Sequence, residues 1–271
     1  MSLTANFKAP RATWRMVTLS MALALLAACS SDGNRLTRLA PDSLYERASK
    51  ALNSGDYQEA IRTLEALTAR YPFTDQARQA RLDIIYAYYK NREKESALDA
   101  AETFIRENPA HPRVDYAWYL KGMVDFERMP YSVERWLGVD LSERPPTTAR
   151  KSFQAFKVVV DSYPKSDYAA DSRRRMIYLR NRLADYEIQI ARYYATRGAW
   201  VAAAQRAQKS VEQYDGAPST REALQIMFQA YQSLGYTDLA ANTEKVYQQN
   251  YPDQPLQQSR SGKWWKPWQR G

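Results

Sequence analysis

From Pro41 to Pro252 the apolar residues recur at helical rather than strand spacing. Leu44, Ala48 and Ala51 stand at offsets of four and seven, one face of an amphipathic helix. Gly55-Asp56 interrupts the pattern. Ala60, Leu64 and Leu67 then resume it and lead to Tyr71-Pro72. The same frame returns four times: Ala97, Ala101 and Phe104 before Asn108-Pro109; Ser152, Phe156 and Val159 before Tyr163-Pro164; Ala203, Ala207 and Ser210 before Tyr214-Asp215; and Ala240 before Tyr251-Pro252. In all five copies the small residue precedes the closing position by twelve. Strand-like alternation is almost absent. The pattern predicts an all-α chain of about ten helices in repeated pairs.

Each spacing has a physical reason. Gly55, Gly198 and Gly235 suit left-handed caps ending the first helix of a pair, where a side chain is costly. The Ala60-type residue lets the paired helices approach closely, and proline after the second helix stops it. This frame resembles the tetratricopeptide repeat, so the fold class is read as an α-solenoid of about five such repeats over residues 42–252. Successive closing positions lie 37, 55, 51 and 37 residues apart, so two repeats are enlarged. The first surplus predicts an insertion over 128–147, between helices at Tyr116–Glu127 and Arg150–Ser162, that offers Met129, Tyr131, Trp136, Leu137 and Leu141 to a partner. The second surplus, Tyr168 to Thr196, contains no glycine or proline and predicts a single helix of roughly 43 Å at 1.5 Å per residue. Arg173, Arg174, Arg175, Arg180 and Arg182 crowd its first half, as a solvated face or as a dock for an acidic partner.

The ends of the chain differ from this array. Lys8, Arg11 and Arg15 precede an uncharged apolar run from Met16 to Ala28. That is the layout of a secretory signal, and the run is shorter than the roughly 20 residues a spanning helix needs. Leu26-Ala27-Ala28-Cys29 resembles a bacterial lipobox. The resemblance implies cleavage between Ala28 and Cys29, then S-diacylglycerol and N-palmitoyl modification of Cys29. Ser30 and Ser31 follow where lipoproteins retained in the inner membrane usually carry aspartate, which implies the periplasmic face of the outer membrane. Residues 29–41 read as a lipidated tether. Residues 42–164 hold repeats 1–3, and residues 165–252 hold repeats 4–5. Residues 253–271 form a basic tail with Trp264, Trp265 and Trp268, suited to headgroups or to disorder.

Composition narrows the chemistry. Removing residues 1–28 lowers the net charge from +9 to +6, a modest basicity that fits an acidic surface or anionic lipid. The export signal argues against nucleic acid. Cys29 is the only cysteine, so no intramolecular disulfide forms and packing must supply stability. His111, the only histidine, opens a helix beside Pro112 and suits a connecting role. No nucleophile has a histidine nearby in sequence, and neither metal-ligand spacing nor a Gly-rich phosphate loop occurs. The expectation is a scaffold rather than an enzyme, with no cofactor or metal. Twenty tyrosines suit a binding surface.

Several local sequences sharpen the resemblance: Gly55-Asp56-Tyr57-Gln58-Glu59-Ala60, Arg70-Tyr71-Pro72-Phe73, Arg144-Pro145-Pro146, Asp185-Tyr186-Glu187 and Tyr193-Tyr194-Ala195-Thr196-Arg197-Gly198-Ala199-Trp200. With the lipobox and the repeats, they resemble the BamD (ComL) family of outer membrane lipoproteins. The Trp-rich tail lies outside the family pattern. The resemblance implies a component of the machinery that inserts β-barrel proteins into the outer membrane. Its partners would be the POTRA region of BamA, the lipoproteins BamC and BamE, and unfolded barrel proteins. On that basis the substrate peptide is expected on Tyr45, Ser49, Leu52, Tyr86, Tyr89 and Lys90. BamA is expected on the exposed cations Arg197 and Arg206 with Gln205 and Lys209, and BamC on Tyr131, Trp136 and Leu137. A lipoprotein guiding a secretin and a peptidoglycan-binding envelope protein remain open at this point.

Overall fold

The structure is a computed structural model that describes residues 39–126 and 146–256. The signal and lipobox, most of the 29–41 tether, nearly all of the 128–147 insertion and most of the tail lie outside the described residues. Among the described residues there are ten helices and no strand: α1 (Pro41–Ser54), α2 (Tyr57–Arg70), α3 (Asp75–Lys90), α4 (Lys94–Glu107), α5 (Val114–Asp125), α6 (Thr147–Ser162), α7 (Ala169–Thr196), α8 (Trp200–Gln213), α9 (Thr220–Ser233) and α10 (Thr237–Asn250). The fold is all-α and built from the helix pairs that the repeat frame predicts. The small residues of that frame are all buried: Ala60, Ala97, Ser152 and Ala203 fully, and Ala240 nearly so.

The chain divides into two compact units, Met1–Ala100 and Ala101–Gly271. In the first, α1, α2 and α3 pack against one another around Leu44, Ala48, Ala60, Leu64, Leu67, Ile84 and Ala87. Gly55 ends α1 at φ 80°, and its amide donates to the Leu52 carbonyl at 3.2 Å. Asp56 then caps α2 by accepting from the Glu59 amide at 3.1 Å, and Thr74 caps α3 by accepting from the Ala77 amide at 3.2 Å. In the second repeat the position equivalent to Gly55 is Arg92, held at φ 65°. A β-carbon is unfavourable in that left-handed region by roughly 1–2 kcal/mol.

In the second unit α7 runs 28 residues, Ala169–Thr196, one residue shorter at its start than the uninterrupted stretch predicts. It packs against α6, α8 and α9. Its first half shares a core with Phe156, Tyr214 and Ala217 through Leu179 and Leu183. Its second half joins Ala203, Ala207 and Ile226 through Ile188 and Ala191. One continuous helix thus joins the last three repeats. The helices beside the insertion are displaced from expectation. α5 ends at Asp125 instead of Glu127 and α6 begins at Thr147 instead of Arg150, because Pro146 provides the helix entry, where a missing amide costs nothing. Gly122 lets α5 and α6 meet: a β-carbon there would lie 2.7 Å from Cε1 of the buried Phe156.

Candidate binding surfaces

The expected substrate residues of the first unit lie on α1 and α3. Tyr45, Ser49 and Leu52 follow one face of α1, and Tyr86, Tyr89 and Lys90 occupy the last turns of α3. Tyr45 donates its hydroxyl to Asp83 Oδ2 at 2.8 Å, and Asp83 also accepts from Gln79 Nε2 at 2.8 Å. This ties α1 to α3 directly. Leu52 packs on the first core. Both side chains therefore hold the helices together, as helical stripes usually do.

The C-terminal end of α3 is different. Lys90 is exposed, with Nζ 5.7 Å from the Tyr57 ring centroid and 6.0 Å from that of Tyr86. The two rings meet edge to face at 6.4 Å. Tyr57 was not among the expected residues. The Gly-Asp-Tyr signature puts it on the first turn of α2, which the helix-pair geometry returns to the end of α3. Tyr88, on the other side of α3, donates to Glu65. Burial first, and that carboxylate second, push its phenol well above the usual range.

In the second unit Arg197 lies over Tyr193, its guanidinium carbon 3.6 Å from the ring centroid. Tyr193 is 53% exposed. Arg197 is also exposed, so this corner presents an aromatic ring and a delocalised cation, and Gln205 is exposed on α8. Arg206 and Lys209, partly exposed, are at the same time engaged within the fold. Arg206 Nη1 donates to Glu187 Oε2 at 2.9 Å, and Lys209 Nζ donates to the other oxygen of the same carboxylate. Glu187 is 1% exposed. Its hydrogen bond is the main reason the Arg206 guanidinium is held above its ordinary pKa. Hydrophobic periodicity could not have found this triad, since it joins α7 to α8 through polar positions.

The arginines of α7 are mostly spent within the fold as well. Arg174 and Arg175 pair with Asp171, and Arg175 also covers the Phe126 ring at 4.7 Å. Arg180 Nη2 donates to the Gly216 carbonyl at 2.7 Å. Burial alone would raise the Asp171 carboxyl, but hydrogen bonds from Arg175, Tyr119 and Arg174 outweigh it and hold the group below its ordinary value. His111 accepts from the Arg113 amide at 3.1 Å and meets the Phe104 ring edge to face at 5.2 Å, a connecting role. Among the described residues no group of three or more His, Cys, Asp or Glu is placed to hold a metal. No described helix is long and apolar enough to cross a membrane. Ala28, Cys29, Tyr131, Trp136 and Leu137 lie outside the described residues.

Comparison with known proteins places this architecture. Residues 38–246 match the family model YfiO, described as an outer membrane lipoprotein. The chain belongs to that family. A relative from Neisseria meningitidis serogroup A, the outer membrane protein assembly factor BamD, is 40% identical over 263 residues, covering 93% of this chain and 98% of the relative. The BamD of Vibrio cholerae is 39% identical over 230 residues, 85% of this chain and 95% of the relative. That of Haemophilus influenzae is 34% identical over 236 residues, 87% of this chain and 90% of the relative. Within this family member, Tyr57–Tyr86–Lys90 and Tyr193–Arg197 each form an aromatic–cation corner in which Lys90, Tyr193 and Arg197 are exposed.

Proposed function

We propose that the chain is a lipid-anchored scaffold of the β-barrel assembly machinery, held by acylated Cys29 on the periplasmic face of the outer membrane. The observation that carries this reading is the match to the meningococcal assembly factor along nearly the full length of both proteins. In this reading BamA, through its POTRA region, docks on Arg197 and Gln205 beside Tyr193. Arg206 and Lys209 hold α7 and α8 in register beneath. The segment with Tyr131, Trp136 and Leu137 receives BamC, and BamE completes the assembly. Unfolded barrel proteins meet the α1–α3 face, with Tyr86, Tyr89 and Lys90 as the contact, joined by Tyr57, and with Tyr45, Ser49 and Leu52 beneath it. Aromatic rings with an adjacent cation suit an extended peptide by combining apolar contact with charge recognition. The role is assembly rather than catalysis.

The test is affinity purification of the acylated protein from membranes. Barrel subunit and partner lipoproteins should co-purify, and Arg197→Glu should weaken recovery of the barrel subunit while leaving the helical signal intact. Recovery of a secretin or of murein fragments in their place would overturn the reading.

A further inference from the structure

Phe73 is 95% exposed, the most water-facing large apolar side chain among the described residues. It sits in the turn joining α2 to α3, and the fold holds that turn firmly. The Thr74 amide donates to the Tyr71 carbonyl at 3.2 Å, the Thr74 hydroxyl caps α3, and Arg81 Nη2 donates to the Pro72 carbonyl at 3.1 Å. The phenyl ring is thus presented outward on a fixed platform and makes no packing contribution of its own.

A second observation says what lies nearby. The Tyr71 hydroxyl donates to the Leu39 carbonyl at 3.1 Å, so the chain enters α1 beside this same turn. The ten residue steps from Cys29 to Leu39 reach at most about 35 Å when fully extended. Whatever surface holds Cys29 is therefore within reach of the Phe73 end of the unit. The opposite end, with Tyr57, Tyr86 and Lys90, lies about 20 Å further along the helices at 1.5 Å per residue. The charges at the turn also suit a phospholipid surface. Arg70 is exposed, with its guanidinium 5.5 Å from the Tyr71 ring centroid. Of the neighbouring acids, Asp75 pairs with Arg78, whereas Asp42 accepts from the neutral Gln76 amide and keeps its charge.

We propose that the Phe73 turn is a second membrane contact, its phenyl ring seated in the headgroup zone of an anionic phospholipid surface with Arg70 on a lipid phosphate. Aromatic rings and snorkelling cations settle in that zone. Acyl chains alone fix a protein to a bilayer but leave it free to swivel. A ring seated beside the tether exit fixes the orientation, directing the Tyr57–Tyr86–Lys90 end away from the lipid. The inference rests on the anchor at Cys29 and adds a role that the anchor does not require.

The experiment uses the full acylated protein in vesicles of phosphatidylglycerol and phosphatidylethanolamine. Cys29 is the only cysteine and carries the lipid, so Phe73→Cys or Asn53→Cys, the latter at the far end of α1, accepts a single environment-sensitive fluorophore. Emission at position 73 should shift to the blue and be quenched by headgroup-labelled lipid, while position 53 should show neither effect. Arg70→Glu should reduce the quenching at position 73. If the protein floats with the vesicles but position 73 stays open to an aqueous quencher, the anchor stands and this inference fails. Protection at position 73 that arises only on adding a partner protein would make the turn a protein dock and also overturn it. Failure to float at all removes the anchor and this inference together.

Discussion

Replacing both Arg206 and Lys209 by alanine should destabilise the α7–α8 pair far more than either replacement alone. Each cation holds one oxygen of Glu187, so a single substitution leaves the carboxylate half satisfied. Charged hydrogen bonds contribute about 1.5–3 kcal/mol. The Arg206 side chain is 38% exposed and that of Lys209 31%, so solvent screening puts each single loss nearer about 1 kcal/mol. The double replacement strands a carboxylate that is 1% exposed, and breaking a buried pair in this way costs about 3–5 kcal/mol. The excess over the two singles is the coupling energy. Glu187→Met, by contrast, leaves two cations that can turn outward into water and fills the space with apolar volume. It should cost no more than about 1 kcal/mol. Native-state hydrogen exchange reads this locally: at 1.4 kcal/mol per tenfold, the double variant should speed exchange in the slowest α7–α8 amides by a few hundredfold or more. Additive single effects, or a Glu187→Met variant less stable than the double alanine variant, would refute the reasoning.

Other outcomes follow from single positions. Arg92→Gly should raise stability by about 1 kcal/mol in denaturant unfolding, because it relieves a left-handed β-carbon. Gly122→Ala should lower stability by about 1–3 kcal/mol despite its better helix propensity, since the buried Phe156 ring has nowhere to move. Asp171 is held below its ordinary pKa, so its contribution is present above about pH 4 and is lost as pH falls through the depressed folded value. Acid unfolding followed by circular dichroism should lose that component in Asp171→Asn. The Tyr88 phenol is raised, so its contribution is complete below its ordinary pKa of about 10 and declines as pH climbs towards the folded value. Tyr88→Phe should flatten the alkaline limb of the stability curve.

The fold was legible because each repeat writes its own packing into the chain. Ala60, Ala97, Ser152, Ala203 and Ala240 are small at one register and are buried at that register. The long α7 was legible from the absence of any breaker, and Gly55 from the need for a left-handed cap. Arg92 was not legible at the same position, because strain at a single residue is offset by the pairs around it. The surfaces were less readable. Arg197 and Arg206 are both arginines in the second half of the fourth repeat and look alike as letters. What separates them is a carboxylate from the preceding helix, ten residues before Arg197, which α7–α8 packing brings to Arg206 alone. Tyr57 was missed for the complementary reason: its neighbours Tyr86 and Lys90 come from the other helix of an interface, 29 and 33 residues away.

The same pairing changes how the basic charge of the chain should be understood. Arg174, Arg175, Arg206 and Lys209 are each held by carboxylates of their own unit, so the net +9 of the sequence resides on other cations. Such pairs engage cations that would otherwise be open to partners, and the exposed ones among them are worth little to stability. Three of the exposed cations sit on rings: Arg197 on Tyr193, Lys90 on Tyr57 and Tyr86, and Arg70 on Tyr71. In each case a cation sits against a ring, where it retains its charge and gains an apolar support. Such corners recognise by shape and polarisation over a few ångströms, not by a field reaching a Debye length of about 8–10 Å. Association through them should therefore depend weakly on salt and strongly on the ring. Tyr193→Ala should weaken barrel-subunit binding as much as Arg197→Ala does, because it removes the platform that orients the guanidinium.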